Sequence, residues 1–181
     1  MSVIIALKDG GRFVLGVDTR MSEDGIYEDD RTKPSKAEIL DNGIILLGSG
    51  DVTARPLFRY YLEGLTELTE KSLREGAVYK FFNENSELIR CKLDSFTFIV
   101  AKDDVAFEVD SYAAVTEIYN FKARGAGGQV AFGSLFSSIN EGMSAECRVK
   151  QAINAAGSLI SSVSKDGFIT DTKSKNWSYF E

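Results

Sequence analysis

The chain has 181 residues, of which 44% are hydrophobic and 27% charged, with a formal net charge of -6. These values are typical of a globular chain with a buried core, and we expect one domain over residues 1–181. The acidic balance argues against nucleic acid as a partner, and no apolar run approaches the roughly 20 residues that a membrane span needs. Two cysteines without C-x-x-C spacing, and no signal peptide, favour a reducing, cytoplasmic location.

The composition contains no histidine. This excludes Ser-His-Asp and Cys-His catalytic arrangements, and it also excludes His-rich metal sites. No motif in the sequence requires a metal or a cofactor, and we predict neither.

The first eighteen residues are predicted to form a β-hairpin. Residues 2–7 are a short apolar run rich in β-branched side chains, a turn with two glycines follows, and residues 13–18 run apolar again up to a carboxylate. Antiparallel strands joined by a tight turn pair the first residue with the last, so Ser2 and Asp18 should lie side by side. We therefore expect the start of the chain to be held in a sheet.

Ser2 is the candidate nucleophile within this hairpin. A small residue at position two normally permits removal of Met1, and Ser2 would then carry both a hydroxyl and the α-amine. An α-amine has a reference pKa of about 7.7 to 8.0, so it is partly neutral at cellular pH and can act as general base toward its own hydroxyl. The alternative is that Ser2 only starts a strand.

The remaining elements are grouped in blocks of strands and blocks of helices. A polar, loop-like segment over residues 19–35 comes first; Asp51, and Ser72 with Glu75, are placed to cap the first two helices. The predicted elements after the loop are strands at 36–40 and 44–50, helices at 51–68 and 72–89, strands at 95–101, 105–109 and 113–119, helices at 129–140 and 145–162, and short strands at 168–169 and 177–180. Such blocks argue against a doubly wound parallel sheet and favour an α+β fold, in which two antiparallel sheets pack between helix pairs as a four-layer αββα sandwich.

Four pieces of sequence carry a family resemblance. They are SVIIALKDGGRFVLGVDTRMS at residues 2–22, Lys36 before an apolar strand, GSGDVTA at residues 48–54, and GAGGQVAFGSL at residues 125–135. In order and spacing they resemble the proteasome β-subunit and HslV family of N-terminal-nucleophile (Ntn) hydrolases. The resemblance covers most of the chain and implies an endopeptidase that cleaves a peptide or protein substrate through an acyl-enzyme. It also implies a homo-oligomer, as a ring or stacked rings, and leaves open an ATPase partner that feeds the chamber.

The resemblance implies roles for individual residues. Ser2 matches the family's N-terminal threonine nucleophile, Asp18 its strand-end aspartate, and Lys36 the lysine beside the nucleophile. A fixed cation at Lys36 would favour the deprotonated hydroxyl, and Asp18 would hold that cation and offset its burial. Lys33, which precedes Pro34 in a loop, is a weaker candidate for this cation.

Two further parts of the family site have counterparts here. Gly50 matches the glycine whose backbone N–H joins the oxyanion hole, with a glycine needed only for the turn as the alternative. Thr19, Arg20, Met21 and Ser22 match the loop that lines the substrate cleft and pairs with an extended peptide.

The sequence departs from the family pattern at two places. Ala126 stands where the family has a serine, and Ser158, followed by Ser161, stands where it has an aspartate followed by a serine. The carboxylate that supports the amine is therefore missing or supplied elsewhere, with Asp166 nearby in sequence. Three functions stay open: an Ntn peptidase, a non-catalytic structural or binding subunit with the proteasome fold, and an amidase acting on a small amide.

Overall fold

The computed structural model describes residues 2–23, 26–91 and 93–181, and the side chains of residues 22–27 lie outside that description. The strands are β1 (Ile4–Asp9), β2 (Arg12–Asp18), β3 (Arg20–Glu23), β4 (Ile26–Asp29), β5 (Ala37–Ile39), β6 (Ile45–Gly50), β7 (Phe96–Lys102), β8 (Val105–Asp110), β9 (Val115–Glu117), β10 (Phe121–Arg124), β11 (Gly167–Asp171) and β12 (Ser178–Phe180). The helices are α1 (Ala54–Glu63), α2 (Tyr79–Glu84), α3 (Ser86–Cys91), α4 (Gly128–Ser137) and α5 (Ala145–Leu159). A π-helical segment (Ser72–Val78) leads into α2, and a 3-10 turn (Ser138–Asn140) follows α4.

Two antiparallel sheets form the centre of the molecule. The first sheet has the strand order β10-β1-β2-β11-β12, and the second has the order β5-β6-β7-β8-β9. In the first sheet the predicted hairpin is confirmed, because β1 pairs with β2 from Ile4 opposite Val17 to Asp9 opposite Arg12. The chain therefore enters the sheet within its first few residues.

Alternating side chains of β1 face two different layers. Val3, Ile5 and Leu7 belong to an apolar cluster with α4 and α5, whereas Ile4 and Ala6 belong to a cluster with β6 and β7 of the second sheet. This division follows from the strand geometry, in which successive side chains point to opposite faces. One face of the first sheet is thus covered by helices and the other by the second sheet.

A third apolar cluster covers the outer face of the second sheet. Phe58 of α1 stacks on Phe98 of β7, with ring centroids 4.8 Å apart, and meets Phe81 of α2 edge to face at 5.2 Å. All three side chains are buried. The layers are therefore helix, sheet, sheet, helix, which confirms the predicted αββα sandwich. Of the helices in the described part of the chain, none is long and apolar enough to cross a bilayer.

Two strand regions differ from the sequence prediction. The segment expected to be loop contains the small hairpin β3–β4, and β10 follows the last predicted strand of its block. In the small hairpin, Arg20 lies opposite Asp29 and makes an ion pair of 2.9 Å with it. A polar cross-strand pair of this kind leaves no apolar alternation in the sequence. The strand β10 forms only through pairing with β1, where Ala123 lies opposite Ile5.

Two helix starts also differ from the predicted caps. Thr53, rather than Asp51, occupies the position before α1, and Asp51 accepts the Thr53 N–H at 2.7 Å in a local turn. Before the π-helical segment, Thr69 N–H donates to Ser72 Oγ and Ser72 N–H donates to Thr69 Oγ1. This reciprocal pair serves as the capping box that was predicted for Ser72 and Glu75.

The packing of α5 on Gly16 of the first sheet gives a stability prediction. A Cβ on Gly16 of β2 would lie 2.4 Å from Val149 Cγ1 of α5, whereas a Cβ on Gly133 of α4 would meet nothing within 4 Å. We expect Gly16→Ala to lower the free energy of unfolding by about 1 to 3 kcal/mol through overpacking. Gly133→Ala, the matched control, should raise it by roughly 0.5 to 1 kcal/mol because alanine favours a helix. Urea unfolding of both variants measures this, and equal effects would contradict the packing described.

Candidate active site

Ser2 lies between the two sheets, beside a second serine. The residue is 3% exposed, and its hydroxyl donates to Ser49 Oγ of β6 at 2.7 Å. Ser2 is two residues before Ile4, and Ser49 is two residues after Leu47, so strand alternation puts both on the faces that meet between the sheets. The two hydroxyls form a polar contact at the end of an otherwise apolar layer.

The carboxylate of Asp18 organises the surroundings of Ser2. Its Oδ1 accepts the Val3 N–H at 2.7 Å, next to Ser2 in the chain. Its Oδ2 accepts the N–H groups of Arg20 and Ser164, both at 3.2 Å. The side chain is fully buried. Its backbone N–H also donates to Val3 O at 3.3 Å, which continues the β1–β2 ladder to the end of the strand.

Lys36 completes this cluster as the partner of Asp18. Its Nζ lies 2.6 Å from Asp18 Oδ1, and its side chain is only 10% exposed. Burial lowers the pKa of the Lys36 ammonium below its ordinary value, and the charge and hydrogen bond of Asp18 oppose that shift. The predicted pairing of a lysine with this carboxylate is therefore present in the structure.

The glycine-rich turn before α4 packs directly on the backbone of Ser2. Gly125 has a φ of +92°, and a Cβ at this position would lie 2.2 Å from Ser2 O. Two residues later, Gly127 N–H donates to the same carbonyl oxygen at 3.3 Å. The turn thus holds Ser2 from the helix side, where a larger residue at position 125 would displace it.

Gly50 ends β6 in a conformation that other residues rarely adopt. Its φ is +98°, and a Cβ would lie 2.1 Å from Ser95 O of the neighbouring chain segment. The chain turns there toward α1 and leaves the glycine on the wall of the cavity described next. A tight turn therefore demands this glycine, whatever else its N–H does.

Ser2 opens on a cavity of about 170 Å³. Lys36, Ser49 and Gly50 line it together with Ser2, and Met21 contributes an apolar side chain that is 42% exposed. The structure therefore gathers five residues from four separate chain segments around one opening. The wall of this cavity thus includes Ser2, the buried Lys36 and the end of β6.

Two of the predicted substrate-contact residues, Thr19 and Arg20, make contacts inside the protein. Thr19 is 1% exposed, its N–H donates to Asp166 O and its carbonyl accepts from Asp30, so its backbone is used inside the protein. The Arg20 guanidinium binds both carboxylate oxygens of Asp29 at 2.9 Å and donates to Ser161 O. Both backbone groups of Thr19 are thus bonded within the protein, and the role of residues 19–22 in lining a substrate cleft stays a prediction.

The remaining predictions near the site concern Ser22, Met1 and Lys33. The backbone of Ser22 pairs with Tyr27 in the small hairpin, while its side chain lies outside the described residues, as does the whole of Met1. Lys33, the alternative cation, is exposed. The lysine that pairs with Asp18 is Lys36.

The departures from the family pattern have structural counterparts. Ser158 and Ser161 are exposed, and the serine whose N–H reaches Asp18 is Ser164. The Asp166 carboxylate is held by Arg31 at 2.8 Å and by the Tyr179 hydroxyl. The helix α5 ends at Leu159, and the segment that follows it makes the contact with Asp18.

Ser49 is the site residue that the sequence interpretation missed. It stands inside the segment Gly48-Ser49-Gly50, in which the family resemblance implies a role for Gly50 alone. The alternation of β6 could have placed its hydroxyl between the sheets, but nothing in the sequence relates it to Ser2, 47 residues away. Among the described residues, no group of three or more His, Cys, Asp or Glu side chains is arranged to hold a metal ion.

The αββα sandwich is shared with solved structures of known proteins. A proteasome subunit beta of Nanoarchaeum equitans (strain Kin4-M) is 29% identical over 177 residues, with 93% of this chain and 88% of that protein covered. The structure of eukaryotic HslV from Trypanosoma brucei superposes with a TM-score of 0.77 at 19% identity, covering 93% of this chain and 98% of that one. Thiobacillus denitrificans BPH in complex with epoxomicin superposes with a TM-score of 0.73 at 17% identity, covering 93% and 97%. No family model matches the chain.

These likenesses agree with the resemblance read from the sequence. The proteasome subunit beta aligns over 93% of this chain, and the two solved structures superpose on the same share of it. The chain is therefore similar to a proteasome subunit beta in sequence and to HslV in fold.

The buried carboxylate gives a second stability prediction. Asp18→Asn removes the charge that neutralises Lys36 and replaces one acceptor oxygen by a donor that faces other donors. We expect a loss of about 3 to 5 kcal/mol in the free energy of unfolding, typical of breaking a buried ion pair. Asp9→Asn, which breaks the half-exposed pair of Asp9 with Arg12, should cost no more than about 1 kcal/mol. Chemical unfolding of both variants checks this, and equal losses would contradict it.

Lys36 should also make stability depend on pH in a defined direction. Because its pKa is lowered in the folded state, the unfolded chain binds the extra proton between that value and about 10.4. The contribution of Lys36 to the free energy of unfolding should therefore rise with pH through this window. Comparing the wild type with Lys36→Met from about pH 7 to pH 10 isolates it, since other groups are common to both. If the wild type instead loses stability relative to Lys36→Met as the pH rises, the pKa of Lys36 is raised on folding. The effect of Asp18 on that pKa then outweighs the effect of burial.

Proposed function

We propose that this protein is an Ntn-type endopeptidase that cleaves amide bonds through an acyl-enzyme at Ser2 after removal of Met1. The observation that carries the proposal is the joint opening of the Ser2 hydroxyl and the Lys36 ammonium on one cavity, with Asp18 buried behind the lysine. The comparisons support the peptidase class, since one relative is a proteasome subunit beta. A hydroxyl on its own is a weak nucleophile, so the neighbouring base and cation matter most.

The proposed reaction uses groups of residues that line the cavity, among them Ser2 and Gly50. The Ser2 hydroxyl oxygen attacks the substrate carbonyl carbon while its proton passes to the free α-amine of Ser2. The carbonyl oxygen becomes an oxyanion, for which the Gly50 N–H is the proposed donor. Collapse of this intermediate breaks the C–N bond, and the leaving amine takes the proton back from the α-ammonium. Water then hydrolyses the Ser2 ester by the same proton route.

Lys36 and Ser49 have supporting roles in this proposal. The positive charge of Lys36 stabilises the developing alkoxide of Ser2, and Asp18 keeps the cation in place. Ser49 orients the Ser2 hydroxyl through their hydrogen bond of 2.7 Å. Ser49 thus supplies a hydroxyl from β6. The glycine-rich turn before α4 supplies none, because it has Ala126.

We also propose that the protein works as a homo-oligomer, in a ring or stacked rings, on peptide or protein substrates. An ATPase partner and a cytoplasmic location belong to the same proposal. The support is the likeness to a proteasome subunit beta and to HslV, and the absence of a membrane-spanning helix among the described residues agrees with it.

A non-catalytic subunit with this fold is the second candidate, and one observation favours it. The Asp166 carboxylate, the nearby acid that could have supported the amine, is bound by Arg31 and Tyr179. If the amine lacks a supporting carboxylate, its action as a base depends on its own pKa alone.

The first test is the intact mass of untagged protein before and after reaction with a peptide epoxyketone such as epoxomicin. This reagent reacts with a terminal hydroxyl and a free α-amine together, so a true Ntn site should lose the mass of Met1 and gain one whole inhibitor mass. Peptidase activity should fall by at least about 10²-fold in Ser2→Ala. Ser158→Ala, an exposed serine on α5, should leave both readouts unchanged.

Two results would overturn the proposal. One is a retained Met1 without any adduct, which would favour the non-catalytic subunit. The other is full peptidase activity in Ser2→Ala, which would move the nucleophile to another residue.

A further inference from the structure

The carboxylate of Glu108 lies in the layer between the two sheets. Glu108 is two residues after Ala106 on β8, and Ala106 belongs to the apolar cluster between the sheets, so strand alternation turns both side chains toward the first sheet. The residue is only 5% exposed. Since an unpaired charge is costly to bury, a carboxylate in this layer needs cations or hydrogen-bond donors around it.

Two cations of β10 supply these partners from the opposite sheet. Arg124 Nη2 lies 2.6 Å from Glu108 Oε1, and Arg124 Nε donates to the same oxygen at 2.9 Å. Lys122 Nζ lies 2.9 Å from the other carboxylate oxygen, Oε2. Because β8 belongs to the second sheet and β10 to the first, these contacts join the two sheets. We call Glu108, Lys122 and Arg124 the Glu108 bridge.

The Glu108 bridge ends where the glycine-rich turn begins. Arg124 is the last residue of β10, and Gly125 follows it directly. A Cβ on Gly125 would lie 2.2 Å from Ser2 O and 2.7 Å from Ser49 Oγ, so this turn contacts both serines of the candidate site. Gly127 N–H reaches Ser2 O at 3.3 Å, a long hydrogen bond that a movement of the turn away from Ser2 would break.

Ser2 therefore lies between two ion pairs that join the sheets. The strand β1 has β2 on one side and β10 on the other. The last residue of β2, Asp18, pairs with Lys36, which comes immediately before β5 of the second sheet. The last residue of β10, Arg124, pairs with Glu108 of that same sheet. Both neighbours of β1 are thus tied to the second sheet at the end where Ser2 lies.

We propose that the Glu108 bridge positions Ser2 for attack, which makes Glu108 and Arg124 positioning residues. The ion pair holds the end of β10 at a set distance from the second sheet, so the turn that follows stays in contact with the Ser2 carbonyl. Without the ion pair the turn moves outward, and the Ser2 hydroxyl loses the fixed place on which attack depends. The effect on rate rests on the proposed function, whereas the effect on the turn does not.

Peptidase kinetics test the effect on rate. We expect Glu108→Gln and Arg124→Gln each to lower kcat by about 10-fold and to change KM by less than about 3-fold, because a misplaced nucleophile slows the chemical step more than substrate binding. Arg124→Lys, which keeps the positive charge, should retain most of the wild-type rate. The matched control is Glu146→Gln on α5, which removes a carboxylate 2.6 Å from Arg12, at the end of β2 remote from Ser2. It should leave kcat and KM unchanged.

Neither test variant leaves an unpaired charge inside the protein. In Arg124→Gln the carboxylate of Glu108 keeps Lys122 as its partner. In Glu108→Gln the side chains of Lys122 and Arg124, which are 27% and 44% exposed, reach solvent. Both variants should therefore fold, and thermal unfolding checks this before their kinetics are compared.

Amide hydrogen exchange, followed by NMR, tests the position of the turn whether or not the protein cleaves peptides. In both variants the protection of Gly127 N–H should fall by about 10-fold or more, because its bond to Ser2 O opens more often. The reference is Thr172 N–H, which donates to Phe13 O at 3.0 Å near the remote end of β2. Its protection should stay at the wild-type value.

The two measurements together decide between the outcomes. A loss of Gly127 protection with a lower kcat supports the proposal. If the wild type cleaves no peptide, that loss still supports the positioning of Ser2, while the proposed function fails. Unchanged Gly127 protection, or an equal fall at Thr172, overturns the positioning role even where the wild type is an active peptidase. A wild-type kcat in variants that have lost the Gly127 protection overturns it as well.

Discussion

The buried carboxylate of Asp18 is the group on which both the fold and the site depend. It accepts the N–H groups of Val3, Arg20 and Ser164 and binds the Lys36 ammonium, so four chain segments meet at one side chain. A carboxylate buried without such partners would cost several kcal/mol or take up a proton. The same contacts that make burial tolerable also fix the residue that precedes Val3, the candidate nucleophile.

The two cations of the cavity differ because their partners differ. Lys36 has a buried carboxylate to itself, which makes it a fixed local charge on the cavity that Ser2 also lines. Arg55 shares Glu38 with Arg59 and keeps a buried Nε without a hydrogen bond to the described residues. The two residues therefore differ in how fully their charges are matched, although both line one cavity of about 170 Å³.

Much of the fold could be predicted, and the errors have physical causes. The hairpin that pairs Ile4 with Val17 and the sandwich follow from runs of buried side chains, which local pattern reveals. The small hairpin β3–β4 was missed because the ion pair of Arg20 with Asp29 leaves no apolar pattern. In the candidate site, Asp18 and Lys36 were predicted as a pair, whereas the contact of Ser49 with Ser2 was not, since it joins two different sheets.

The amino-acid pattern alone predicts most of the strands, their alternation, and the kind of nucleophile available, since a chain without histidine offers few bases for a hydroxyl. The packing of the two sheets and the helices sets the contacts of the site: the Ser49 hydroxyl at Ser2, the Ser164 N–H at Asp18, and Arg55 on the wall of the cavity. The reason is that residue spacing sets distances within a strand or a helix, while distances between layers depend on how the packed faces fit together.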